Sequence, residues 1–152
     1  MKLTLSATIP APVERVFAAL TDPDVLRRAI PGCEELTANG ADTYAARLKI
    51  GLAGVKGTYS GTASIRDRRP PESLTLGFDG KGGPGFVRGA AAVRLNVEED
   101  RTHVVCDADV QVGGLIAAVG SRLIEAAARK LTGDFFHQVA IEIGARAGVP
   151  GH

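Results

Sequence analysis

The side chains best able to do chemistry are few and scattered. Three histidines (His103, His137, His152) and two cysteines (Cys33, Cys106) are the metal-binding and nucleophilic candidates. Only His103 and Cys106 lie close in sequence, and a metal site there would need further, distant ligands to converge on them. The cysteines read as two buried or partly buried free thiols, with a disulfide between them left open. Asp107 and Asp109 alternate with Cys106 and Ala108, which turns both carboxylates away from an apolar strand face. Asp79 beside Phe78, Arg88 beside Phe86 and Asp134 beside Phe135 are mixed apolar and polar spots suited to the mouth of a cavity. The glycine-rich run GFDGKGGPGFVRG (77–89) invites comparison with a phosphate loop. Lys81 is not followed by Ser or Thr, however, and the flanks read as strands, so this run is a hairpin.

The elements that must position these residues follow from periodicity. Leu3, Leu5, Ala7 and Ile9 alternate with polar residues over 2–9 and predict a strand with one buried face. Pro10 and Pro12 stop it, and Val13, Val16, Phe17 and Leu20 form a helical stripe ending near Thr21. Asp22-Pro23 opens a second short helix, which Pro31-Gly32 closes. Brief strand character at 35–37 precedes an Asn39-Gly40 turn. Further alternating segments lie around 44–50, 59–65, 74–78, 93–97 and 104–112. They predict six or seven strands in a meander, curved at the repeated glycines, with 66–71 and 80–85 as connections.

Residues 115–143 contain no proline and place Ile116, Val119, Leu123, Ala127, Leu131, Phe135 and Val139 on one stripe. A single helix of this length spans about 40 Å and can cross the whole sheet. Glu125 and Arg129 form an i,i+4 pair on its other face, which His137 shares. Small residues on the helix (Ala117, Ala118, Gly120, Ala126, Ala127, Ala128) and on the strands (Gly61, Ala63, Ala90, Ala92) permit close packing, or an internal volume where the sheet stands off the helix. The reading is one α+β domain over 1–143 with a flexible tail over 144–152.

Composition bounds the function. The chain is 45% apolar with a formal charge of +1, so a nucleic-acid partner is not expected from its total charge. No apolar run approaches bilayer length, and the first residues lack a sustained apolar segment, so a cytoplasmic setting is expected.

Four stretches carry a family resemblance: IPAPVERVFAALTDPDVLRRAIPGCEEL, VKGTYSGTASIRDRRPPESLTL, GKGGPGFVRGAAAVRL and DADVQVGGLIAAVGSRLIEAAARKLTGDFFHQV. In this order they resemble the carbon monoxide dehydrogenase G-subunit family of the START-like (SRPBCC) superfamily. The IPGC box at 30–33 and the GG…GSRLI…FF arrangement over 113–136 are its most specific parts. A tryptophan common after the APxxxV box is Phe17 here.

The resemblance implies a helix-grip fold, a seven-stranded antiparallel sheet wrapped around a long C-terminal helix with two short helices after the first strand. It also implies a non-enzymatic role in which an apolar cavity holds menaquinone, ubiquinone or another lipid. That role would support membrane recruitment or electron transfer of a molybdenum hydroxylase, with its subunits or maturation factors as partners. The expected ligand-binding residues are Phe17, Tyr59, Phe78, Phe86, Arg88, Val119, Leu123, Ala127, Leu131 and Phe135, with a polar head near Tyr59, Arg88 or Asp134. The alternatives are an assembly or docking factor without a ligand, and an enzyme acting on an apolar aromatic or polyketide-like substrate. No catalytic residue, metal or required cofactor is expected. The family's membrane-associating tail has no counterpart in this sequence, so any membrane contact is expected to be transient, at the inner face and through the cavity mouth.

Overall fold

In the computed structural model, which describes residues 1–146, the alternating segments become seven strands: β1 (Lys2–Ile9), β2 (Cys33–Ala38), β3 (Thr43–Ile50), β4 (Gly57–Arg69), β5 (Ser73–Gly82), β6 (Gly85–Glu98) and β7 (Arg101–Gly113). All pair antiparallel in the order β1-β7-β6-β5-β4-β3-β2, a meander closed by the first strand. Between β1 and β2 lie α1 (Val13–Leu20) and α2 (Pro23–Ala29). Most strands are longer than their apolar positions suggest, because glycine-rich stretches remain paired. β5 and β6 pair as far as Gly82 and Gly85, leaving only two residues in a turn that the sequence extends over 80–85.

The sheet bends where strands approach too closely for a side chain. A methyl group on Gly61 would overlap the carbonyl oxygen of Asp79, and one on Gly89 would overlap that of Asp109. Any other residue there would push β4 from β5, or β6 from β7, and flatten the curve.

Capping chemistry fixes the two short helices. The Thr21 hydroxyl donates to the Phe17 carbonyl at 2.9 Å and ends α1. The Asp22 carboxylate then accepts from the Asp24 N–H at 2.9 Å with Pro23 in the first turn, a standard N-cap for α2. Both helices bury one stripe: Val13, Val16, Phe17 and Leu20 from α1, and Val25, Leu26 and Ala29 from α2.

The expected single helix over 115–143 is broken. Leu115–Val119 is a 3-10 turn, and α3 (Ser121–Arg146) starts only after Gly120, whose φ of 95° cannot continue a right-handed helix. The turn is held by Ile116, which is buried and whose N–H donates to the Pro84 carbonyl at 2.8 Å. At the other end α3 continues through 144–146, where the sequence reading begins its tail; the rest of that tail lies outside the described residues.

The C-terminal half of α3 packs on α1, α2 and β1. Ile9, Val16, Leu20, Val25, Val104 and Val139 meet there, fully buried, each worth about 1.5–3 kcal/mol relative to exposure. Arg15 donates to the Ile143 carbonyl at 2.8 Å, and Arg28 pairs with Glu142 at 2.6 Å, which ties both short helices to the last turns of α3. Thr102 is 0% exposed within this core, and its hydroxyl donates to the Ala11 carbonyl at 2.8 Å. Replacing it with the near-isosteric valine leaves that carbonyl unpaired, so Thr102→Val should lower unfolding free energy by about 1–3 kcal/mol, read as a shift in urea midpoint at unchanged slope.

Candidate functional site

The grip has a filled half and an open half. Strand register decides which residues face α3: Leu74 pairs with Val93, both buried, and stepping by two along each strand generates the inner face. Toward the α1–α2 end that face is closed. Toward the other end Leu48, Tyr59, Ala63, Leu76, Phe78, Val87, Ala91, Val110 and Val112 are inward-facing, yet all are only half-buried. The facing residues of α3 are half-buried as well, among them Ile124, Leu131 and Phe135. Apolar side chains that point inward without being covered mark an interior that the chain itself does not fill.

Three connections close in on this open end. Gly54, in the β3–β4 loop, lies so near Leu123 that a methyl group would strike its side chain, and Val119 is the next neighbour. The Tyr59 hydroxyl donates to the Val55 carbonyl and holds the same loop. Pro84, in the β5–β6 turn, packs against Gly57 and accepts the Ile116 N–H. A cleft of about 870 Å³ opens beside them, lined by Met1, Gly89, Val110, Val112, Ala117, Ser121 and Ile124 together with the outward-facing Arg66, Arg88, Ala90, Asp109 and Gln111. It follows the end of β7 beyond Met1, whose ammonium and carbonyl both pair with Val110 and complete the β1 edge.

The residues selected from sequence divide accordingly. Tyr59 and Phe78 share the inner face of the open half, and Val119, Leu123, Leu131 and Phe135 border it from the helix side. Phe135 meets Phe136 edge-on, with centroids 5.1 Å apart, and it is Phe136 that enters the core. Ala127 is buried on α3, and Phe17 is sealed in the closed core.

Phe86 and Arg88 lie off the inner face, although Arg88 lines the 870 Å³ cleft. Uninterrupted pairing of β6 with both neighbours turns them to the outer face, where the Arg88 guanidinium sits 4.5 Å from the Phe86 ring centroid. The expected head-group trio does not assemble either. Tyr59 faces inward, Arg88 faces outward, and Asp134 pairs with Lys130 at 3.0 Å while bordering a separate cleft of about 610 Å³ beside α2. The site residues expected from sequence also leave out Leu48, Val87, Val110 and Val112, although alternation over 44–50 and 104–112 already sets Leu48, Val110 and Val112 on an apolar strand face.

That second cleft is built on the IPGC box. The Cys33 N–H donates to the Ile30 carbonyl across Pro31-Gly32, and Gly32, at φ 71°, is too close to the Lys49 carbonyl for any side chain. The box is thus a turn that anchors α2 to β3. Cys33 itself is half-buried, and burial raises its thiol pKa, against the opposing pull of the Glu35 backbone and of Arg27. Both cysteines are free. Among the described residues no cluster of three His, Cys, Asp or Glu side chains is arranged to hold a metal ion, and no helix is long and apolar enough to cross a membrane.

A curved seven-stranded antiparallel sheet gripping a C-terminal helix, with two short helices sealing one end, defines a START-like helix-grip protein. The chain belongs to the carbon monoxide dehydrogenase G-subunit (CoxG) family, whose model matches residues 6–144. It is 35% identical to a conserved protein from Geobacillus kaustophilus of known crystal structure, over 95% of this chain and 96% of that one, with a TM-score of 0.92. An aromatase/cyclase from Streptomyces sp. R1128 shares the fold at 19% identity and a TM-score of 0.69, over 99% and 98% of the two chains. Protein Ms6760 from Mycobacterium smegmatis does so at 13% identity and 0.71, over 95% and 92%. No curated protein matches.

Burial beside Asp107 pushes the Cys106 thiol from 9.0 up to about 11. Below pH 9 folded and unfolded chains both hold this proton; between about 9 and about 11 only the unfolded chain releases it, so stability falls across that window. The contribution is on the order of 2–3 kcal/mol. Urea midpoints of the wild type should therefore drop more steeply over this range than those of Cys106→Ala, and a thiol reagent near neutral pH should reach Cys33 well before Cys106.

Proposed function

We propose that the chain is a non-enzymatic carrier that holds a quinone or similar lipophile in the open half of the grip, on behalf of a carbon monoxide dehydrogenase-like molybdenum hydroxylase in the cytoplasm. The observation that carries this reading is the inner face itself: inward-pointing aliphatic and aromatic side chains, half-exposed, beside a core that is closed everywhere else. An isoprenoid tail suits that surface because covering it returns about 25 cal/mol per Å² before ordering costs.

Two further features support binding over catalysis. The inward-facing positions of the sheet carry tyrosine, threonine and cysteine as their polar side chains, with no carboxylate or imidazole to move a proton. Among the described residues no buried side-chain polar atom lacks a partner, so recognition falls to apolar contact and shape. The partner enzyme is inferred from membership of the family.

Native mass spectrometry of freshly purified protein, followed by solvent extraction, should find one lipophile per chain. Delipidated protein should then bind added menaquinone or ubiquinone. Ala63→Trp, which places an indole beside Phe78 on the inner face, should weaken that binding by at least about tenfold with the circular dichroism spectrum unchanged. An empty protein that takes up neither quinone would transfer the weight to a ligand-free assembly role.

A further inference from the structure

We propose that Tyr59 latches the β3–β4 loop from inside the grip, and that this latch makes the open half hold the hydroxyl form of a redox-active lipophile in preference to its carbonyl form. This latch rests on the carrier reading above and deepens it, by naming the state of the cargo that the site favours.

Residues 51–56 form the loop, and little ties them down. Within it the Val55 N–H donates to the Leu52 carbonyl at 3.2 Å. Beyond that turn, its one hydrogen bond among the described residues is the one that the Val55 carbonyl accepts from the Tyr59 hydroxyl. The approach of Gly54 to the Leu123 and Val119 side chains adds only apolar contact.

Tyr59 reaches this loop from within. It is half-buried at an inward-facing position, paired with Leu48 and Gly82 on the two neighbouring strands. Among the inward-facing sheet positions of the open half, its hydroxyl is the only hydrogen-bonding side-chain group. The inner face beside it is bare, because Gly61 pairs with Gly80 and a methyl group on Gly80 would meet nothing within 4 Å. A planar head group has room there, next to the phenol.

The hydrogen-bonding capacity of the phenol decides how it treats such a head group. Tyrosine has one proton to give and lone pairs left to accept with. Here the proton is committed to the Val55 carbonyl, and burial raises the phenol pKa above its ordinary value, so the proton stays in place at neutral pH. A quinone carbonyl only accepts. It pairs with Tyr59 by taking the proton from Val55, which frees the loop, or it goes unpaired. A quinol hydroxyl instead donates to the phenol oxygen and leaves the latch closed. In either case the oxidised form forgoes one hydrogen bond that the reduced form keeps, a difference of about tenfold in affinity. Tenfold tighter binding of the quinol raises the two-electron midpoint potential of the bound couple by about 30 mV, so the quinone is easier to reduce inside the grip than outside it.

The test combines hydrogen–deuterium exchange of the full chain with equilibrium binding of decylubiquinone and decylubiquinol under argon. Without ligand, Tyr59→Phe should speed amide exchange across 51–56 by at least about fivefold, with the circular dichroism spectrum unchanged. Wild-type protein should bind the quinol about tenfold more tightly than the quinone, and only the quinone should speed exchange in the loop. In Tyr59→Phe the two affinities should converge. Loss of packing alone would weaken both forms alike and keep their ratio, so the ratio isolates the hydroxyl. Equal affinities in the wild type, tighter binding of the quinone, or a preference that survives Tyr59→Phe would overturn the latch and leave the carrier reading standing. Uptake of neither form would overturn both.

Discussion

Wrapping seven antiparallel strands around one helix requires neighbouring strands to come closer at the bend than any side chain permits. Gly61 against the Asp79 carbonyl and Gly89 against the Asp109 carbonyl meet that requirement in the middle of the sheet. The rest of the architecture follows from the resulting curve. A flat sheet would lie against α3 along its whole length, whereas a curved one meets it firmly at one end and stands away at the other.

Helices α1 and α2 decide which end is which. Their stripes fill the space between β1 and the last turns of α3, and Arg15 and Arg28 tie them to Ile143 and Glu142. Stability is thereby concentrated in the closed half. The open half is made of hairpin ends, a 3-10 turn and the first turns of α3, whose apolar residues have few neighbours to cover them. A molecule divided in this way can move at one end without disturbing the core at the other.

The strands and short helices were legible because period-two alternation and proline, aspartate and glycine punctuation are local signals. The break at Gly120 was not, since a lone glycine inside an apolar helical pattern is ordinarily tolerated, and only its backbone conformation here ends the turn. Phe86 and Arg88 were misplaced for a different reason. Counting by twos from Val93 leads to Val87, but the run from Gly80 to Ala92 is so rich in glycine and alanine that hydropathy gives no alternation to count. On α3 the adjacent Phe135 and Phe136 could each have faced the core; the pitch of the helix against α1 and α2 settled it for Phe136. The open interior was legible only as an excess of small residues, which is equally a sign of close packing.

The ammonium group of Met1 donates to the Val110 carbonyl at 2.8 Å, and the Met1 carbonyl accepts from the Val110 N–H, so the pairing of β1 with β7 extends to the first residue of the sequence. Anything appended before Met1 is launched along the remaining edge of β7, past Gln111 and Val112, which border the larger cleft. A purification tag placed there would run across the side of the grip as an extra strand and cover part of that cleft. For recombinant work, the choice of which terminus carries the tag decides whether that strand edge stays free.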